Sequence, residues 1–349
     1  MTTAARRVAV VTSSPPLTEG GHLVIARALV EALRECGHHA GLVVTPQNRF
    51  GRQASAYLAT WLTDLGDSPH GPIDQVISLR YPSYAIRHPA HVCWLNHTMR
   101  EYYDRWESFS AGLSPLAKVK EGLRRRAIHA TDGYLLRHRV TRVVAQSDTI
   151  RQRLARYLHV PSAVLHPPAP PRAYRCDAYG DYLFAVSRLT PLKRVDLLLK
   201  ALAEPAAVGV RCVIAGDGEQ AADLQALSAR LGLAGRVRFA GRISEAELVD
   251  YLARCRAVCF PPLDEDYGFV TVEAFASSKA VVTCRDSGGP AELVRDGQNG
   301  LVCEPAPAAL ASALSQVMED RTRAIRMGEA GRATVAPMTW PAAVETLLQ

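Results

Sequence analysis

Two pairs of charged residues carry the most chemistry in this chain. Ser187-Arg188-Leu189-Thr190-Pro191-Leu192-Lys193 places a guanidinium and an ammonium just after a strand-like run. Further on, Glu265-Asp-Tyr-Gly-Phe-Val-Thr-Val-Glu273 sets two carboxylates across a predicted loop-to-helix start. A guanidinium can grip phosphate oxygens bidentately, an ammonium adds a compact charge, and a helix N-terminus beside them favours an anion. Backbone amides around Gly268, Phe269 and Val270 can also approach a diphosphate, since glycine keeps no Cβ in the way. One carboxylate on the loop and one a turn into the helix suit hydrogen bonds from separate hydroxyl groups. Cations for a diphosphate and carboxylates for sugar and ribose hydroxyls together imply a nucleotide-activated sugar as the ligand.

The elements that must position these groups read as alternating strands and helices, the pattern of stacked βαβ units and a mostly parallel sheet. Strands are predicted at 8–12, 40–45, 76–79, 91–95, 142–146 and 163–165, and again at 182–186, 211–215, 237–240, 257–260, 280–283 and 301–303. Helices are predicted at 23–35, 195–203 and 222–231 among them. Between the two series lies His166-Pro-Pro-Ala-Pro-Pro-Arg-Ala-Tyr174, which can continue neither a helix nor a central strand and reads as a linker. The expected division is an acceptor-side domain at 1–168, a nucleotide-sugar-binding domain at 169–335 and a final helix within 336–349. Arg188 and Lys193 follow strand 182–186, at the carboxyl edge where doubly wound sheets bind ligands. The expected architecture is α/β, with two Rossmann-like doubly wound domains facing a central cleft that holds the site.

Composition narrows the class. A chain of 349 residues exceeds what one core usually holds, and its 48% apolar content contains no run near the ~20 residues a membrane span needs. The first seven residues lead straight into Val8-Ala-Val-Val11, too short for a signal-peptide core, so a cytoplasmic location is expected. Eight scattered cysteines, none in a Cys-x2-Cys pair, read as free thiols. The net charge of +7 is uneven: residues 1–175 carry 23 Lys and Arg against 12 Asp and Glu, and the remainder 18 against 22. Within 118–156 there are 11 basic and 3 acidic residues, including Arg124-Arg125-Arg126. Such a stretch is either a solvated helix face or a patch for an anionic membrane surface or phosphorylated acceptor. It has no aromatic stacking platform and no reader motif, so nucleic acid is not an expected partner.

Three signals compete and lose. Asp264-Glu265-Asp266 has the spacing of a metal-held diphosphate site, but it overlaps the carboxylate loop and protein cations already serve the phosphate, so no metal is expected. Gly216-Asp-Gly218-Glu-Gln-Ala221 imitates a dinucleotide fingerprint, yet the next strand ends without the acid that would hold a ribose. Ser147 and Ser187 have no adjacent histidine to support nucleophilic hydrolysis.

Taken together, these elements resemble the retaining glycosyltransferases of family 4, of the bacterial cell-surface glycan or glycolipid type, whose fold is called GT-B. The similarity runs over nearly the whole chain. It is strongest in Ser187–Lys193 as quoted above, Gly216-Asp217-Gly218-Glu219, Phe239-Ala-Gly241, the Glu265-to-Glu273 span and Ser287-Gly288-Gly289-Pro290-Ala-Glu292. In the first half, Gly20-Gly21 and the His97 that follows Cys93-Trp94-Leu95-Asn96 match the family's glycine loop and active-site histidine. The resemblance implies transfer of a sugar from a UDP- or GDP-linked donor to a glycan or lipid-linked acceptor, without metal or cofactor, at or near the inner face of a membrane. It further implies that Arg188 and Lys193 bind the donor diphosphate and stabilise the leaving group, that Glu273 holds the ribose hydroxyls, and that Glu265 lies near the transferred sugar. On the same grounds the Phe269 and Val270 amides, with Gly268 and Gly216, belong to the donor site, and Gly241, Arg242 and Ile243 border the nucleobase. Gly20 and Gly21 are then expected near donor phosphate and acceptor, His97 by the reacting sugar, and the final helix back on the first domain. Base, sugar and acceptor would be selected in loops such as 13–22, 46–58 and 97–116. One departure concerns the end of the Glu273 helix, where Lys279 stands in place of the family's usual glycine and leaves the turn open. The alternatives are a degenerate nucleotide-binding or scaffolding homologue and a nucleotide-sugar epimerase.

Overall fold

A computed structural model describes residues 4–17, 20–47 and 50–348. The chain forms two compact units, one of Met1–Pro167 with Thr339–Gln349 and one of Pro168–Met338. The Pro-rich segment therefore marks the change of unit, and the last helix belongs with the first unit.

The first unit contains β1 (Arg7–Ser14), β2 (His39–Pro46), a short antiparallel hairpin of β3 (Asp67–Ser68) and β4 (Gly71–Pro72), β5 (Gln75–Ser78), β6 (His91–Leu95), β7 (Arg142–Ala145) and β8 (Ala163–Val164). Its main sheet is parallel throughout, in the order β2-β1-β5-β6-β7-β8. β1, β5 and β6 are buried almost residue for residue, as strands covered on both faces must be, and this is why they read as unbroken apolar runs. The hairpin was not expected: two residues a side show no periodicity to detect.

The 24-residue helix Pro115–His138 opens on a Ser114 cap with proline in its first turn. It is strongly basic, yet its fully buried Asp132 accepts hydrogen bonds from the hydroxyls of Tyr57, Tyr84 (2.6 Å) and Tyr103 (2.6 Å). Burial pushes that carboxyl up to about 6, with the three hydroxyl donors opposing the shift. A single acid with three partners thus ties the basic helix to its unit. The final helix, Trp340–Leu348, is held by Arg6 to the Leu348 carbonyl, Gln75 to the Leu347 carbonyl (2.7 Å), Arg142 to the Thr346 carbonyl, and an edge-on Trp94–Trp340 contact at 6.3 Å.

The second unit repeats the plan with β9 (Tyr182–Val186), β10 (Arg211–Ala215), β11 (Val237–Gly241), β12 (Ala257–Cys259), β13 (Ala280–Cys284) and β14 (Gly300–Cys303). Its sheet is parallel in the order β11-β10-β9-β12-β13-β14. Alternate residues feed two cores: Leu183 and Ala185 of β9 pack with Leu198, Ile214 and Leu314, while Phe184 packs with Val258, Phe275 and Val281 on the other face. Both units are Rossmann-like, and in each the strand order reverses once, between β1 and β5 and between β9 and β12.

The turn left open by Lys279 is made one residue earlier. Ser278 takes the left-handed conformation (φ 55°), and the Lys279 N–H closes the helix on the Ala274 carbonyl at 2.9 Å. The Lys279 side chain is then fully buried, its ammonium 4.0 Å from the Tyr179 ring centre, donating to the Ala178 carbonyl and lying 3.2 Å from the Cys176 sulfur.

Candidate functional site

Where a parallel sheet reverses its strand order, the loops leaving the two strands part and open a crevice at the carboxyl ends. In the second unit those strands are β9 and β12, and their loops carry Arg188, Lys193 and Glu265. The loop after β9 passes through a tight turn at Pro191–Lys193 and then Arg194, left-handed at φ 48°. The Arg194 guanidinium forks onto Asp286 (2.8 and 2.7 Å) and donates to the carbonyls of Pro261 and Pro262 (both 2.8 Å). Leu263 N–H adds a bond to the Leu192 carbonyl at 2.7 Å. Arg194 therefore fastens together the loops after β9, β12 and β13. In the sequence Arg194 merely precedes the helix predicted at 195–203; its partners lie tens of residues away and leave no local trace.

Within this frame the Lys193 ammonium is 2.5 Å from Glu265 and 5.5 Å from the Phe260 ring centre, with both charged side chains about four-fifths buried. Arg188 is exposed and has no side-chain partner among the described residues. Glu265 is fixed through its backbone: its N–H donates to the Ser287 carbonyl (3.0 Å) and its carbonyl accepts from Gly289 (2.9 Å). Gly288, at φ 68°, must be glycine here, because a Cβ would fall 2.4 Å from the Glu265 oxygen. The Ser287-Gly-Gly-Pro motif is thus the shelf that carries Glu265.

Gly216 and Gly218 do similar work for Arg188. A Cβ on Gly216 would lie 1.8 Å from the Ser187 carbonyl oxygen, and one on Gly218 would lie 2.4 Å from that of Leu189. Leu189 N–H bonds the Asp217 carbonyl at 2.9 Å, and Gly216 N–H bonds that of Gly241 at 2.7 Å. The glycines that imitate a dinucleotide fingerprint are accounted for by this close approach of two backbones. At the next loop Arg242 is exposed and Ile243 is half-buried against the Phe184 core.

The second carboxylate sits apart from the first. Glu273 lies one turn into the helix Phe269–Ala276, entered at Gly268. Thr271 is the first residue to bond back, to the Gly268 carbonyl at 2.9 Å, so the Phe269 and Val270 N–H groups have no acceptor among the described residues. The Glu273 carboxylate is buried and accepts from Arg172 and from the Tyr174 hydroxyl (3.1 Å), while Arg172 also reaches Glu245 at 3.0 Å. Burial raises the Glu273 carboxyl above its usual range, and Arg172 and Tyr174 pull it back. Neither partner was legible, because both lie in the segment that reads as linker. We expect Arg172→Met to lower stability by roughly 3 kcal/mol or more, the cost of leaving a buried charge unpaired, as read by urea denaturation. Arg172→Lys, which keeps the charge and loses the fork, should fall between; an unchanged midpoint in the methionine variant would show that the pair supports nothing.

In the first unit, Gly20 and Gly21 stand where the loop after β1 enters the helix Gly21–Glu35, beside that unit's own strand reversal. His97 follows β6, half-buried, with Nδ1 2.7 Å from the Thr98 carbonyl. A carbonyl only accepts, so Nδ1 carries a proton in this contact. Of the selector loops, residues 18–19 and 48–49 lie outside the described residues. Among the described residues no three His, Cys, Asp or Glu side chains gather as a metal cluster, and no helix is long and apolar enough to cross a membrane.

Residues 177–334 match the family described as glycosyl transferases group 1. The D-inositol 3-phosphate glycosyltransferase of Nocardia farcinica is 35% identical over 174 residues, covering 47% of this chain and 38% of its own length. The match therefore spans well under half of that relative. Among solved structures, a sucrose-phosphate synthase from Thermosynechococcus elongatus superposes with a TM-score of 0.79 at 16% identity, covering 98% of both chains. The Anabaena protein HepE, solved with UDP and glucose, gives 0.68 at 16% identity, over 97% of this chain and 98% of its own. At such identities the likeness establishes the fold, and the family match lies within the second unit. The chain shares the GT-B fold of these structures, and its residues 177–334, under half of its length, match the glycosyl transferases group 1 family.

Proposed function

We propose that this chain is a retaining, metal-independent glycosyltransferase that moves a sugar from a UDP- or GDP-linked donor to a glycan or lipid-linked acceptor. The observation that carries this reading is the constellation at the β9/β12 reversal: an exposed Arg188, the Lys193–Glu265 pair and two open helix-start amides, all inside the group 1 domain. HepE, with UDP and glucose bound on the same fold, supports a nucleotide-sugar ligand, and the Nocardia relative supports sugar transfer.

Each group then has a role. As the bond from the sugar to phosphate breaks, negative charge grows on the diphosphate, and Arg188, Lys193 and the Phe269 and Val270 amides meet it. Lys193 held by Glu265, the exposed Arg188 and the oriented amides supply the positive charge that a divalent metal would otherwise supply. Glu265, held beside Lys193, accepts from hydroxyls of the transferred sugar, and Glu273, paired with Arg172, accepts from the ribose. Gly216 shapes the Arg188 loop, while Gly241, Arg242 and Ile243 border the base. Gly20 and Gly21 are assigned to the donor phosphate and acceptor, and His97 to the reacting sugar. The acceptor oxygen bonds to the anomeric carbon on the face the phosphate leaves, and the departing phosphate oxygen takes the acceptor's proton.

The stereochemical outcome tests this course. Proton NMR of the product should show the anomeric configuration of the donor, with the rate unchanged by EDTA; an inverted anomer or an EDTA-silenced enzyme would overturn retention or metal independence respectively.

A further inference from the structure

A second surface, in the first unit, is built for a different partner. On the helix Pro115–His138 the side chains of Leu116 (82% exposed), Val119 (63%), Leu123 (60%) and Tyr134 (51%) all stand in solvent. At about 100° per residue they fall within an arc of roughly 60°, in one line along the helix, with exposed Ala127 and Ala130 between them. Exposed Lys120 and Arg126 flank the line. The helix has two acids, and both are turned inward: Asp132 beneath its three tyrosines, and Glu121 onto the Tyr102 hydroxyl (2.8 Å) and Arg124 (2.6 Å). The outward face is therefore apolar along its middle, cationic at its edges and free of acid among the described residues.

The surface continues onto the helix Gln53–Trp61. Leu58 on it and Leu62 just past its end are exposed, and an open groove of about 650 Å³ between the two helices is lined by Leu58, Trp61, Ala130 and Tyr134 among others. Arg87 and Arg139 lie over the Trp61 ring, 5.7 and 5.0 Å from its centre, bringing two more cations to the rim.

We propose that this face seats on an anionic lipid surface, with the leucines and Tyr134 entering the headgroup boundary and the lysines and arginines binding lipid phosphates. Charge complementarity selects the occupant: long cations flanking an apolar line let the stems follow the leucines while their heads stay with anionic headgroups. A second copy is disfavoured because a two-fold contact would set like-charged rims against each other. The structure also narrows the basic stretch 118–156 to this one face. Arg151 pairs with Asp148, Arg153 with Asp104, and Arg142 binds the Thr346 carbonyl, so those cations are already engaged. This surface stands independently of the donor-site assignment.

The test is sedimentation of the full chain with vesicles of phosphatidylcholine alone and of equal parts phosphatidylcholine and phosphatidylglycerol. Wild type should pellet with the mixed vesicles and stay in solution with the neutral ones. Leu116→Ser with Leu123→Ser, and separately Lys120→Glu with Arg126→Glu, should each weaken mixed-vesicle binding at least about tenfold, the scale of losing two interfacial contacts. Donor hydrolysis and the melting temperature should stay as in wild type, since all four side chains are exposed and outside the donor site. Equal binding to both vesicles, no binding, or variants that bind like wild type would overturn the proposal. So would a concentration-dependent dimer in light scattering that the double serine variant abolishes, which would assign the face to a second copy.

Discussion

Lys193→Ala is expected to lower donor turnover by at least ~100-fold, the scale of removing one preorganised electrostatic contact with developing charge. The ammonium is fixed before the donor arrives: Glu265 holds it at 2.5 Å, and the loop beneath it is fastened by Arg194. The loss should fall on kcat, because the charge it meets grows as the sugar–phosphate bond breaks. Lys193 and Glu265 are each about four-fifths buried, so the variant should also lose some stability, and turnover is read well below its melting temperature to separate chemistry from folding. Lys193→Arg restores charge with a different reach and should recover part of the rate. Near-normal kcat/KM in the alanine variant would remove Lys193 from the reaction.

The second large effect is at Glu273, where the alanine variant should also lose at least ~100-fold in turnover. Here stability and function are entangled. Removing the carboxylate strips Arg172 of a buried partner and leaves the guanidinium with Glu245 at its exposed end. A double-mutant cycle resolves the two. Glu273→Ala combined with Arg172→Met removes both charges, so its stability should recover relative to Glu273→Ala alone while turnover stays low. If turnover recovers together with stability, Glu273 is a structural acid and not a ligand for the donor.

The distribution of legible and illegible features has a physical cause. Strands such as β9 and β13 could be read because a parallel strand covered on both faces has to be apolar nearly throughout, and the chain writes that as Tyr-Leu-Phe-Ala-Val and Ala-Val-Val-Thr-Cys. Arg188 and Lys193 could be placed at one sheet edge because both lie in the segment after β9, and Glu265 and Glu273 because they bracket one loop-to-helix start. Arg194, Arg172 and Tyr174 could not. Each acts through partners tens of residues away, and an arginine at a helix start or after a proline run looks like any other solvated arginine. Lys279 misled for the opposite reason: the residue that makes the turn is Ser278, adopting the left-handed conformation that a glycine would take more cheaply. Charge counting over the basic stretch is too coarse a reading, since it cannot tell a cation on an exposed helix face from one bonded to a carbonyl or a carboxylate.

The central claim is that the charged loops of the group 1 domain take a nucleoside-diphosphate sugar and break its sugar–phosphate bond. The most direct measurement is nucleotide release by the purified protein from UDP-, GDP-, ADP- and dTDP-sugars, without added metal and with EDTA present. The account predicts slow hydrolysis of a UDP- or GDP-sugar, insensitive to EDTA and suppressed in Lys193→Ala. Silence across all four donors, with no thermal shift from any of the nucleotides, would contradict it and leave the domain as a scaffold that has lost its chemistry.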